Sequence, residues 1–445
     1  MREPSPRRLA RILAIVIGGA ATCGYAAPPV TIADAAVDQA VIAVAPKVVA
    51  WRRDIHQHPE LSNREFRTAE LVAEHLRRLG LEVRTGVAHT GVVGILRGAL
   101  PGPVVALRAD MDALPVEELV DVPFASHERA QYEGKDVPVM HACGHDAHTA
   151  MLMGAAEVLA GLRDGLRGSV VFLFQPAEEG APEGEEGGAR LMIKEGVLDR
   201  DPRPDAVFGL HVWPGAPGTI SYRPRGLMAA ADRLQITIHG VQTHGAQPWH
   251  GVDPIIVAAQ VMIGLQTIAS RQLNSSLAPA VITIGSIHGG VRGNIVPDKV
   301  EMDGTLRTFD TAMRDDLVAR VQRTAVDIAA SAGATADVKV ESYAPLTYND
   351  PQLAERMRPA LERAAGAGKV KVMDLVMGSE DFAYYQQKVP GLYVFLGINK
   401  PGVPTDQAAD NHSPRFFVNE DALPAGVRAL VMLAIDYLDG AEPAK

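Results

Sequence analysis

The chain has 445 residues, 47% of them hydrophobic and 22% charged, with a formal net charge of −10. That length exceeds one ordinary core and that composition is globular, so two folded domains are expected and a disordered chain is excluded. The acidic balance argues against binding nucleic acid or anionic lipid through net charge.

Arg7, Arg8 and Arg11 precede an apolar run, Ile12 to Ala21, and the small residues of "GYAAP" follow. This is the layout of a secretory signal peptide over residues 1–27, and its apolar run falls short of the ~20 residues of a membrane span. No other stretch is expected to span a membrane. The mature chain is therefore expected to be exported, periplasmic or secreted, with no stable membrane insertion. Beyond that segment Cys143 is the one cysteine. It cannot form an internal disulfide, and a lone thiol in an oxidising compartment is a liability unless something such as a metal occupies it.

Residues 34–57 and 65–79 read as helices. Short apolar runs follow at 92–96, 103–110, 169–175 and 206–212, with a helical stretch at 146–162. Continuous Val, Leu and Phe runs alternating with helices predict an α/β fold whose mostly parallel sheet is covered on both faces. From about residue 228 the pattern becomes strand 233–240, helix 252–273, strand 280–290, strand 299–309, helix 311–331 and strand 335–343. That β-α-β-β-α-β order is that of an α+β ferredoxin-like module. After about residue 342 the α/β character returns, with a buried strand at 391–397 and a closing helix at 419–438. The expected organisation is an α/β catalytic domain in two segments, 28–227 and 342–445, interrupted by an inserted domain, 228–341.

In an open α/β sheet, ligands bind beyond the carboxyl ends of the strands, and polar residues cluster there. Strand 103–108 runs into Asp110 and Asp112, strand 169–174 into Glu178 and Glu179, and strand 206–210 into His211. The segment "MHACGHDAHTAML" ends at a helix start, and strand 391–397 leads to His412 in "DNHSP". Cys143, His145, Glu179, His211 and His412 could thus converge on one rim. Thiolate, imidazole and carboxylate are ligands of zinc and related divalent metals, and five are more than one tetrahedral ion accepts. Two ions would use them. A single His or Glu at a strand end is more often a surface residue, so the cluster carries the argument. A structural zinc site would want more Cys than one. Only one of Glu178 and Glu179 need be a ligand, which leaves the other as general base and then acid. Asp146 and His148 read as a helix-start carboxylate and a partner that orients a ligand.

The ordered motifs "RRDIHQHPELSNREFRTAELV", "ALRADMDALPVEE", "MHACGHDAHTAML", "FLFQPAEEG", "GLHVWP", "THGAQPWHGVDPI", "GGVRGNIVPDKVEMDGTLRTF", "MGSEDFAYY" and "NHSPRF" span nearly the whole mature chain. With them the chain resembles the hippurate hydrolase, N-acyl-amino-acid amidohydrolase and auxin-conjugate hydrolase family of co-catalytic metallopeptidases. The resemblance implies that Cys143, His145, Glu179, His211 and His412 hold two divalent ions, Zn²⁺ or Mn²⁺, with Co²⁺ or Ni²⁺ as further options, and that Cys143 bridges them. It implies Glu178 as the acid/base residue, Asp112 as the carboxylate orienting the site from behind the ligands, and Glu380 as support. In the inserted lid or dimerisation domain, His244 would stabilise the oxyanion, often from the other subunit, and Asn294 would contact substrate. A homodimer through that domain is implied.

The expected reaction is hydrolysis of a small N-acyl amino acid, with an exported dipeptidase or carboxypeptidase as the alternative and a non-catalytic metal-binding or ligand-binding protein as a remoter one. The family's Gly-rich run is lengthened here to "APEGEEGGARLM", adding Glu183, Glu185 and Glu186. A solvated acidic loop is the plain reading. Steering of cationic substrates is the sharper one.

Overall fold

A computed structural model describes Met1 and residues 32–440, so the expected signal peptide lies, Met1 aside, outside the described residues. The described residues from Ile32 onward form one compact unit. Helices α1 (Asp34–Gln57) and α2 (Phe66–Arg78) lead into β1 (Glu82–Val87), β2 (Gly91–Arg97) and β3 (Leu100–Asp110). Helix α3 (His145–Gly161), β4 (Arg167–Gln175), β5 (Ala206–Trp213) and β6 (Ile220–Tyr222) follow. Next come β7 (Ala230–His239), α4 (Pro254–Thr267), β8 (Ala280–Gly289), β9 (Lys299–Thr308), α5 (Thr311–Ser331) and β10 (Thr335–Ala344). Helix α6 (Pro351–Ala365), β11 (Val370–Val372), β12 (Gly391–Gly397) and α7 (Leu423–Gly440) complete the chain.

The large sheet has eight strands in the order β1-β2-β4-β3-β5-β12-β6-β11. Its inner strands β4, β3, β5 and β12 run parallel, and antiparallel pairings occur towards both edges. Side chains alternate between two cores. Val170, Phe172 and Phe174 of β4 face the helices α1, α3 and α7, whereas Val171 and Leu173 face the opposite layer. Burial on both faces explains why these strands read as unbroken apolar runs. The strands β1, β6 and β11 and the helix α6 are large-part elements the apolar runs did not announce.

The second sheet has the order β8-β9-β7-β10, all antiparallel, with α4 and α5 on one face. This is the ferredoxin-like arrangement, and Asp253 and Asp310 cap its helices by accepting from Ile255 N at 2.9 Å and Met313 N at 2.8 Å. Pro254–Gln272 is long and apolar enough to cross a membrane. It is instead a module helix, packing Val257, Ala258, Val261 and Leu265 on the sheet.

Candidate active site

Three carboxyl ends of the parallel strands and the start of α3 converge. Gly144 makes the turn between Cys143 and His145 possible. Its φ is 92°, and a Cβ there would lie 2.2 Å from Val212 Cγ2, so only glycine fits. The turn ends in α3 with His145 as its first residue. Its ring donates from Nδ1 to the Asp112 carbonyl at 2.8 Å, which turns Nε2 into the site. His211, on β5, donates from Nδ1 to its neighbour Val212 O at 2.7 Å, and its Nε2 lies 3.4 Å from Cys143 Sγ. Glu178 and Glu179 follow β4 through Ala177, itself at φ 52°. His412, also left-handed at φ 68°, is fixed by its N–H to Ala142 O at 2.7 Å.

Ligand atoms of Cys143, His145 and His211 lie within 4.8 Å of one another, and so do those of Cys143, Glu179 and His412. The two sets share Cys143. His145 Nε2 and Glu179 Oε1 are buried with no hydrogen-bond partner, an arrangement that costs free energy unless a further group satisfies them. His412 Nε2 is 3.1 Å from Glu179 Oε1 but is not aligned as a hydrogen bond. Soft and borderline donors with orphaned lone pairs facing one point fit a pair of divalent ions. The thiol of Cys143 is pushed up by burial, whereas Cys143 and Glu179 raise His412 to about 10. Loading of such a site releases protons and is favoured by rising pH.

Asp112, fully buried, holds the glutamate turn. Its two oxygens accept from Glu178 N and Glu179 N, each at 3.0 Å, and Oδ2 also accepts from Ser62 Oγ at 2.8 Å. His148 cannot be a ligand, because Nδ1 donates to Asp110 Oδ1 at 2.6 Å and Nε2 accepts from Val212 N at 2.8 Å. Asp146 anchors α3 to α1 through Arg52 Nε at 2.7 Å and His56 Nδ1 at 2.8 Å. Glu380 contacts no proposed ligand by hydrogen bond. It accepts from Arg108 Nη2 at 3.0 Å, Phe382 N at 2.9 Å and the Tyr393 hydroxyl at 2.5 Å. It still lies close to Glu178, whose carboxyl is held well above its usual range by burial first, then by Glu380, Glu179 and Asp381.

His244 and Asn294 are not brought to this cluster. They are neighbours in the small module, where the two-residue strands Thr243–His244 and Ile295–Val296 pair and Gly245 N donates to Asn294 O at 2.8 Å. Among the described residues neither hydrogen-bonds to the Cys143 group. The acidic loop is largely neutralised: Glu185 pairs with Arg64 at 2.6 Å, which with Asn63 holds it down to about 2, and Glu186 pairs with Lys194 at 2.5 Å. Only Glu183 of the three makes no ion pair among the described residues.

Two buried groups escaped the sequence reading. Glu65 accepts from Ala177 N at 2.9 Å, Asn63 N at 3.0 Å and the Thr90 hydroxyl, and burial followed by Asp112 pushes it up to about 8. Arg108 binds Gln175 Oε1 at 2.9 Å, Asp110 Oδ2 at 2.6 Å and Asp381 Oδ1 at 2.8 Å besides Glu380. An arginine inside the apolar run "PVVALRAD" was the available signal.

A parallel-sheet hydrolase with a shared-thiol ligand cluster and an adjoining carboxyl is the class these features define. The profile of peptidase family M20/M25/M40 matches residues 106–436, and the chain belongs to that family. It is 41% identical to thermostable carboxypeptidase 2 of Saccharolobus solfataricus over 88% of this chain and 95% of that one. It is 39% identical to the N-acetyl-L-cysteine deacetylase of Bacillus subtilis, covering 90% of each. The solved Bacillus subtilis YXEP protein, described as a dinuclear metal binding peptidase from the M20 family, superposes with a TM-score of 0.74. It is 35% identical over 90% of this chain and 100% of that one. The chain is accordingly a hydrolase acting on amides.

Proposed function

We propose that this hydrolase cleaves the amide bond of small N-acyl amino acids. The single observation that carries the reading is the adjacency of Glu178, a buried carboxyl, to the two ligand sets that share Cys143. Cys143, His145, Glu179, His211 and His412 would hold the ions, zinc or manganese by donor chemistry. When bound, such ions would polarise the scissile carbonyl and make water a nucleophile near neutral pH. Glu178 accepts the proton of the attacking water and returns it to the leaving nitrogen. Its buried place beside the ligand sets puts it within reach of both partners in that task. Asp112 keeps the turn fixed while charge moves.

His244 supplies the oxyanion donor, with Asn294 beside it contacting substrate, and both arrive from the small module of a second copy. Trp249, Ile255, Ile256 and Ile263 support this homodimer: all are exposed on the module, Trp249 at 72%. The small module, 228–341, then acts as lid and dimerisation domain. Export is part of the same reading and rests on residues 1–27. The name of the carboxypeptidase relative favours a second reading, release of an amino acid from a short peptide, which breaks the same kind of bond.

The test is turnover of paired N-acyl amino acids and dipeptides by metal-loaded wild type and Glu178→Gln. We expect wild type to prefer N-acyl amino acids. Glu178→Gln should retain metal and lose ~10²–10⁴ in kcat. Full activity in the variant would place the base elsewhere, and dipeptide preference would favour the second reading.

A further inference from the structure

The adjacent carboxylates Glu178 and Glu179 face different spaces. Glu179 lines a cleft of about 1030 Å³ with Leu61, Leu114 and Tyr132. Glu178 lines a smaller cavity of about 360 Å³ on the other side of the turn, with Arg190, Tyr343 and Tyr384. Gly180 borders both, and it packs against Tyr343: a Cβ there would lie 3.3 Å from the phenol oxygen. Tyr343 is the penultimate residue of β10, where the small module rejoins the large sheet's part of the chain. Its carbonyl is held by the Tyr384 hydroxyl at 3.2 Å.

The chemistry of the smaller cavity is unbalanced in a telling way. Apart from Glu178 its acids are engaged: Glu185 with Arg64, Glu186 with Lys194, and Asp381 with Arg108, Gln175 Nε2 at 2.8 Å and Ala189 N at 2.7 Å. Two donors are not. Arg190 makes no ion pair, and the Tyr343 hydroxyl makes no hydrogen bond, among the described residues. A phenol is protonated at neutral pH, so the half-exposed Tyr343 hydroxyl is free to donate.

The amidohydrolase reading then fixes direction. Glu178 protonates the leaving nitrogen, so the amine half of the substrate lies on the Glu178 side. Two bonds from that nitrogen sits the α-carboxylate, an anion entering a site rich in carboxylates. It needs compensating donors close by. We propose that Arg190 and Tyr343 form the subsite for the α-carboxylate of the amino-acid half, with the acyl half in the larger cleft. This inference rests on the amidohydrolase reading.

The test compares an N-acyl amino acid with its carboxamide, which lacks the charge. It uses wild type, Arg190→Gln and Tyr343→Phe for kcat/KM. Each is also made on a Glu178→Gln background, where calorimetry reads binding without turnover. Wild type should prefer the acid. Each substitution should lower kcat/KM and affinity for the acid about tenfold or more, mainly through KM, and leave the carboxamide within about twofold. Equal losses on acid and carboxamide, or no loss on either, would overturn the subsite while leaving the hydrolase intact. Absence of turnover of any N-acyl amino acid by metal-loaded wild type would overturn the amidohydrolase reading and the subsite with it.

Discussion

The large α/β part buries many charged groups and the small module few. The large part buries whole charges: Arg108, Asp110, Asp112, Asp146, Glu65 and Glu380 are all at most 2% exposed. Each is tied to several partners, and through them Ala177, the glutamate turn and α3 are held in place. The module's main core, from Leu234 to Ala334, is built of apolar side chains; Asp232 is buried against Arg314, whereas other polar residues of its sheet, such as Arg233 and Asp303, lie on the open face. Buried ion networks rarely add net stability, but breaking one leaves unpaired charges in low dielectric. The large part thus has rigidity where the chemistry needs fixed geometry. The module is a plain amphipathic scaffold that carries His244 and Asn294 on its surface.

Substitutions can break that contrast. Arg108→Met strands Asp110, Glu380 and Asp381 together, so chemical denaturation should register a loss of about 3–5 kcal/mol. A loss under 1 kcal/mol would mean the network is not a structural anchor. His244→Ala should leave stability and metal content unchanged while kcat falls ~10²–10³, the typical effect of losing one oxyanion donor. A wild-type rate there would remove the module from the chemistry.

His56 sharpens the comparison through pH. It lies between Asp146 and Glu118, 2.9 Å from Glu118 Oε1, with Arg52 alongside, and these two carboxylates outweigh burial and raise its pKa. A raised folded value means stability that is fully present below the unfolded value near ~6.5 and is lost as pH rises through the higher folded value. The Tm difference between wild type and His56→Gln should therefore shrink from pH 6 upward, and a constant difference would contradict the buried-imidazolium assignment. The smallest effect is expected on the module's open face. Arg233→Ala, which loses an exposed pair with Asp303, should change stability by no more than about 1 kcal/mol.

The same contrast governs what was legible in the sequence. The five metal-binding candidates, Glu178 and Asp112 stand out in the sequence because strand ends and a helix start force polar residues into view. The module is legible because its β-α-β-β-α-β periodicity is unmixed. What stayed hidden are contacts between distant segments. Nothing in "NREF" says that Glu65 receives the Ala177 amide across 112 positions. Nothing near Tyr343 says that its hydroxyl reaches Gly180. The acidic loop looked charged because its counterions lie outside it, Arg64 ahead of α2 and Lys194 at the end of the helix Gly188–Lys194.

We propose that Cys143 would serve both ions of the site. The most direct test is metal content of purified wild type, Cys143→Ala, His211→Ala and His412→Ala, measured by elemental analysis. About two divalent ions per chain are predicted for wild type and about one for each histidine variant, with both lost in Cys143→Ala. Wild type without divalent ions, or Cys143→Ala with the full complement, would contradict it.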